Sequence, residues 1–190
     1  MTVRNAVSMG TYGAEWEAAG YCGGGNVAPL LGALAGRPAI VCGAAAGVFD
    51  ELITAQRVIP DHVIFAVNDI GMFLPNVDHW VSLHPDNLGV WKAVRWLHPG
   101  EKEAVAYHAV DRRPFVDYVW EGLTPLFALS GYFAMQIAWI MGASLIVLVG
   151  CPGSPCRRFF EATPKLDFGY GAGIASSDSG VREQLMKEMA

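Results

Sequence analysis

Short, wholly apolar runs alternate along this chain with segments whose apolar residues recur at helical spacing. Residues 39–42, 62–67, 78–83 and 145–149 read as strands, and 104–108 is a further strand candidate. Between them, residues 48–57 read as a helix and 69–74 as a short helical turn stopped by Pro75. Residues 86–97 read as an amphipathic helix, with Leu88, Trp91, Val94 and Arg95 near helical spacing, and 130–141 as a long helix. Residues 112–122 are irregular or briefly helical, and 29–35 form a short helix with Pro29 in its first turn. A final helix spans 179–189, capped by the serine–aspartate cluster before it.

Strands alternating with helices predict an α/β fold: a Rossmann-like, doubly wound, mostly parallel sheet flanked by helices. The strands show no apolar/polar alternation, as expected of a sheet covered on both faces. A further strand often follows a last helix in such folds, so an edge strand is expected to be missing or supplied by another subunit. Residues 1–36 form an N-terminal arm and short helix, and 37–190 a single nucleotide-binding domain, long enough to bury a substantial core. The arm is glycine-rich, with a CGGGN cluster at 22–26. It is either a disordered tail or, through aromatics such as Trp16, docked on the domain or a neighbouring subunit.

Composition narrows the function classes. Apolar residues make up 53% and charged residues only 16%, which argues against disorder and leaves room for an assembly surface, hence a homo-oligomer. The net charge of −5 offers no bulk attraction to nucleic acid or anionic membrane. No signal-peptide pattern is visible, so the expected location is the cytoplasm (the host's, for a viral protein), with Cys22, Cys42, Cys151 and Cys156 as free thiols. Cys151 and Cys156 have a C-x4-C spacing without a second pair or a histidine pair, which supports zinc only weakly. Residues 133–150 are nearly all apolar, and a window scan would flag them as membrane-spanning. Gln136 inside the run, and the split at Gly142-Ala143-Ser144 into a helix-like and a β-rich half, favour no membrane span.

Open parallel sheets bind ligands beyond the carboxyl ends of their strands. Polar and glycine residues concentrate there: Gly43, Ala44, Ala45 and Gly47 after the first strand, Asn68 and Asp69 after the second, His84 and Asp86 after the third, Ser130 and Gly131 at the long helix, and Gly150 after the last strand. The turn at 43–47 permits close backbone approach, and the helix behind it offers free N–H groups to a phosphate. It is neither a P-loop nor a full dinucleotide fingerprint. Asn68 and Asp69 either cap their turn or contact a base or ribose. Ser130 is the N-cap of its helix, a role compatible with phosphate contact. Asp86 is an N-cap or a site carboxylate. Of the five histidines, His84 is the best general-base candidate and His108 the second, whereas His62 and His79 read as structural. Arg157-Arg158 either grips phosphate or is a solvated pair.

The motifs AIVCGAAAGVFDEL, IFAVND, DHWVSLHPD and LSGYFAMQIAWIMGASLIVLVG, in this order over residues 37–153, resemble a Rossmann-like family. That family includes the flagellar motility accessory factors and archaeal 6-hydroxymethylpterin pyrophosphokinase, is similar to many short phage proteins, and is distantly similar to family 42 sialyltransferases. The resemblance implies nucleotide contacts at Gly43 and its turn, at Asn68, and at Ser130-Gly131. In the sialyltransferases these elements hold a cytidine nucleotide sugar, so a CMP-linked donor and an acceptor are the implied ligands. Two departures stand out: the family's Gly-Pro-Ser-Leu turn is Ala-Ala-Gly-Val here, and its Asp after the last strand's glycine is Cys151-Pro152. Three readings follow. The first is a glycosyltransferase-like enzyme with His84 or Asp86 as base. The second is a phosphoryl transferase with Mg²⁺ on Asp69 and Asp86. The third is a nucleotide-binding or assembly module without chemistry.

Overall fold

A computed structural model of the chain describes residues 6–8, 25–96, 105–123 and 129–151. Seven strands form one sheet: β1 (Ala6–Ser8), β2 (Pro38–Cys42), β3 (Val63–Val67), β4 (His79–Ser82), β5 (Ala106–Ala109), β6 (Tyr118–Val119) and β7 (Leu145–Val149). Their spatial order is β1-β7-β2-β3-β4-β5-β6. Strands β2 to β7 run parallel to their neighbours, and β1 lies antiparallel against β7. The helices are α1 (Val48–Val58), α2 (Pro85–Trp96) and α3 (Ser130–Ile140), with 3-10 turns at Gly25–Leu30 and Asn68–Met72. This is the α/β, Rossmann-like, doubly wound architecture that the alternation predicts.

The winding places the site. From β2 the chain steps outward through β3, β4 and β5 to β6, and α3 then returns it to β7 on the other side of β2. Helices α1 and α2 cover one face of the sheet, while α3 and the first 3-10 turn cover the other. The direction of winding therefore reverses between β2 and β7, and a crevice opens beyond the carboxyl ends of such a pair.

Pleating explains the apolar strands. Ala39 and Val41 face α3, and Ile40 and Cys42 face α1, so neither face of β2 can carry a polar residue. Helix α1 buries Val48, Leu52 and Ala55 on one stripe. Helix α3 buries Phe133, Ala134, Ile137 and Ala138, which fall on one stripe at i, i+1, i+4 and i+5. Two aspartates tie strands to their neighbours: Asp78 Oδ2 accepts from Ile64 N at 2.8 Å, and Asp117 Oδ2 from Tyr107 N at 2.9 Å. Buried Arg95 of α2 donates to the carbonyls of Gly71, Leu74 and Pro75, at 2.7, 2.6 and 3.2 Å, and so fixes the loop after β3.

Several expectations need correction. The short helix expected at 29–35 is a 3-10 turn at Gly25–Leu30 followed by a tight turn; Pro29 lies inside the 3-10 segment. Residues 112–122 include a strand, β6, which was too short to carry a period. The sheet edge beside β7 is occupied by β1 from the same chain, so no second subunit is needed to cover it. Leu129, in extended conformation and without a side-chain cap, is the N-cap of α3, and Ser130 is the first helical residue. The apolar run of residues 133–150 divides at Gly142, whose φ of 88° stops α3 and turns the chain into β7. Among the described residues, no helix is long and apolar enough to cross a membrane. The final helix of 179–189, Cys22, Cys156 and Arg157-Arg158 lie outside the described residues.

Candidate functional site

Two groups of residues lie at the carboxyl ends of the parallel strands. The first is at the switch point. Gly43 N donates to Val149 O at 2.8 Å, and Ala45 N to Gly150 O at 3.2 Å, so the turn after β2 is stitched to the exit of β7. A Cβ on Gly43 would fall well inside 3.0 Å of the Gly150 carbonyl and 2.6 Å from Cys151 Sγ. These glycines therefore serve the close approach of two backbones. Gly47, at φ 88°, is the left-handed N-cap of α1, and Ala44 packs half-buried on the core beneath. The first turn of α1 carries Asp50 and Glu51, and Glu51 Oε2 accepts from Gly150 N at 2.7 Å. Both carboxylates lie where the helix dipole favours negative charge, so this helix end is already compensated.

The start of α3 differs. It carries no acidic residue, Ser130 is buried, and the Cys151 thiol sits 3.3 Å from where a Cβ of Gly131 would be. Cys151 thus lies between the end of β2 and the positive end of α3, whose first turn has no carboxylate of its own. Burial, with Cys151 adding to it, pushes the Cys42 thiol well above its ordinary pKa, so Cys42 behaves as a small core residue.

The second group joins β3 to β4. Asn68 sits at φ 57°, a left-handed conformation that asparagine tolerates better than most residues. Its carbonyl accepts from Trp80 Nε1 at 2.6 Å. Ser82, fully buried, accepts from His84 N at 2.9 Å, and its own hydroxyl donates to Asn68 Oδ1 at 2.9 Å. The serine hydrogen has one acceptor in this relay, which sets the orientation of the asparagine amide. Asn68 Nδ2 is left as a double donor without a partner among the described residues. His84 is half-buried beside it.

The remaining predicted residues stand apart. Asp69 is buried in the first turn of its 3-10 segment. Asp86, whose side chain is 75% exposed, is bound side-on by Arg113, with Nε to Oδ1 at 2.7 Å and Nη2 to Oδ2 at 3.4 Å. His108 is fully buried with both ring nitrogens engaged, which removes it as a general-base candidate. Among the described residues, no three His, Cys, Asp or Glu side chains converge to hold a metal ion.

Sequence reasoning missed Ser82, Glu51 and Arg113. Ser82 needs the register of β3 against β4 to reach Asn68. Glu51, in contrast, stands in plain view as an acidic residue in the first turn of a helix. Comparison with protein-family models, with curated proteins and with solved structures found no match.

Proposed function

We propose that the chain binds a nucleotide-activated sugar along the carboxyl edge of its parallel sheet and acts on it as a glycosyltransferase-like protein. The observation that carries this reading is the Ser82–Asn68 relay. It holds a half-buried amide donor in a strained backbone conformation, at a sheet edge where such folds bind ligands. The resemblance of residues 37–153 to nucleotide-using Rossmann-like proteins supports the same class.

In this reading Asn68 donates to the nucleoside, and the phosphate lies at the start of α3. The positive helix end there stabilises charge that develops on the leaving phosphate. His84 takes the acceptor proton, and Asp86, held by Arg113, is a rim residue rather than the base. The same ion pair favours a second reading, a nucleotide-binding module without chemistry, because it withdraws one of two candidate bases. Phosphoryl transfer on Mg²⁺ is less supported, since Asp69 is buried and Asp86 is paired.

Thermal unfolding against nucleotides and nucleotide sugars, with and without Mg²⁺, tests the proposal. A ligand at a hundred times its dissociation constant adds about 2.7 kcal/mol. Stabilisation by one nucleotide sugar without metal is expected, and it should vanish in Ser130→Tyr. Ala134→Tyr, which overpacks α3 against the sheet, should instead lower stability with or without ligand. Unchanged binding by Ser130→Tyr would move the site away from α3, and a panel without any shift would remove the nucleotide reading altogether.

A further inference from the structure

On the α3 face of the sheet, away from the relay, two histidines and a tryptophan form one hydrogen-bonded chain. Trp120 Nε1 lies 3.1 Å from His108 Nδ1, and His108 Nε2 lies 2.9 Å from His79 Nδ1. Trp120 and His108 are fully buried, and His79, at the start of β4, is half-buried. Aromatic rings enclose the pair: Phe65 of β3 stacks on His79 with centroids 4.5 Å apart, and Tyr118 of β6 on His108 at 5.2 Å.

Counting protons along this chain gives an asymmetric result. Indole nitrogen only donates, so His108 Nδ1 must be the acceptor and the His108 proton must sit on Nε2. That proton then points at His79 Nδ1, so the His79 proton sits on its own Nε2. Two ring protons complete the chain, and a third has no place. Put on His108 Nδ1, it faces the Trp120 N–H. Put between the rings, it sets two donors 2.9 Å apart. Shifting the shared proton onto His79 Nδ1, so that His79 carries the charge, leaves only His108 Nδ1 for the third proton and leads back to the first clash.

We propose that the Trp120–His108–His79 chain is an acid-sensitive latch that holds the β6 edge on the sheet. It is closed with two ring protons and opens when a third is forced on it. The latch is placed to do this: β6 is two residues long, pairs with His108 and Ala109, and leads directly into Trp120. Beyond the chain itself, β6 is secured by Asn26, which donates to Asp117 O and accepts from Val119 N. The charged groups acting on His79 are Asp78, which favours its protonation, and Arg37, which opposes it; on His108 it is His79 itself. Burial outweighs Asp78, so the pair is neutral near pH 7, and His79 titrates at about 4.

Two-bond proton–nitrogen NMR correlation on the full chain tests this directly. At pH 7.5 both His79 and His108 should carry their proton on Nε2, with both Nδ1 atoms bare. A proton on either Nδ1 overturns the proposal. As pH falls from 6.5 towards 4, the Trp120 indole cross-peak, identified by its absence in Trp120→Phe, should move or vanish together with the Val119 amide. The amides of β2 and β3 should remain, whereas their simultaneous loss would mean general acid unfolding and overturn the latch. His79→Gln keeps an acceptor for His108 Nε2–H and takes no proton, so the Trp120 response should shift to lower pH by at least about one unit. An unshifted response overturns the proposal. If the variant does not fold, the tautomers of the natural chain still decide.

Discussion

Helices α1 and α3 both begin at the carboxyl edge of the sheet, on opposite sides of β2, yet their first turns are prepared for different things. Helix α1 starts from a left-handed glycine, carries Asp50 and Glu51, and uses Glu51 to hold the backbone of Gly150. Helix α3 starts from an extended Leu129, carries no carboxylate, and faces a thiol across Gly131. One helix carries its own negative charge in its first turn and the other does not. Glycine richness marks where two backbones must come close, and charge at the first turn marks which helix end can take an anion.

The largest effect expected from this contrast is at Gly43. Its added Cβ in Gly43→Ala would meet a backbone carbonyl that cannot rotate away, as well as Cys151 Sγ. Destabilisation of about 3 kcal/mol, the upper end for overpacking, is expected in urea unfolding. A variant as stable as the natural chain would mean that the turn is an open cradle, and the contrast with α3 would collapse.

Acid should act next most strongly, and on the α3 face. His79 is pushed down to about 4 by burial, against 6.5 for an ordinary histidine. The sign follows from proton binding: between these values the unfolded chain holds the extra proton. Stability is therefore complete above pH 6.5 and falls by up to about 3 kcal/mol as pH drops to 4, at roughly 1.36 kcal/mol for each pH unit. Denaturant midpoints at several pH values give the slope, and a flat profile across this window would contradict the burial of the pair.

Much of this architecture was legible because burial on both sheet faces writes long apolar runs into β2, β3 and β7. The outer elements were not. Strands β1 and β6 are three and two residues long, and strands so short derive their identity from partners rather than from a period. The positions of Gly43, Asn68 and Ser130 at strand and helix ends could be read from the order of elements. Their use could not, because it depends on cross-strand neighbours: Gly150 opposite Gly43, and Ser82 beside Asn68. His108 shows the same limit. A histidine near a strand end reads as a base until Trp120 and His79 are seen to occupy both its nitrogens.

The subtlest prediction separates the two helix ends by charge alone. Glu51→Gln keeps an oxygen to accept from Gly150 N and removes one negative charge from the start of α1. Stability should change by less than about 1 kcal/mol, and nucleotide affinity by less than about twofold, if the phosphate lies at α3. Tyr132→Glu places a carboxylate in the first turn of α3, where Tyr132→Gln is the uncharged control. That variant should lose about tenfold in affinity relative to its control, since about 1.4 kcal/mol is within reach of a charge at a partly buried helix end. Titration calorimetry of the four proteins reads both effects. The reverse pattern, with affinity rising in Glu51→Gln and indifferent to Tyr132→Glu, would put the phosphate at α1. The acidic turn would then act as a charge that weakens binding there, and α3 would be left as a purely structural helix.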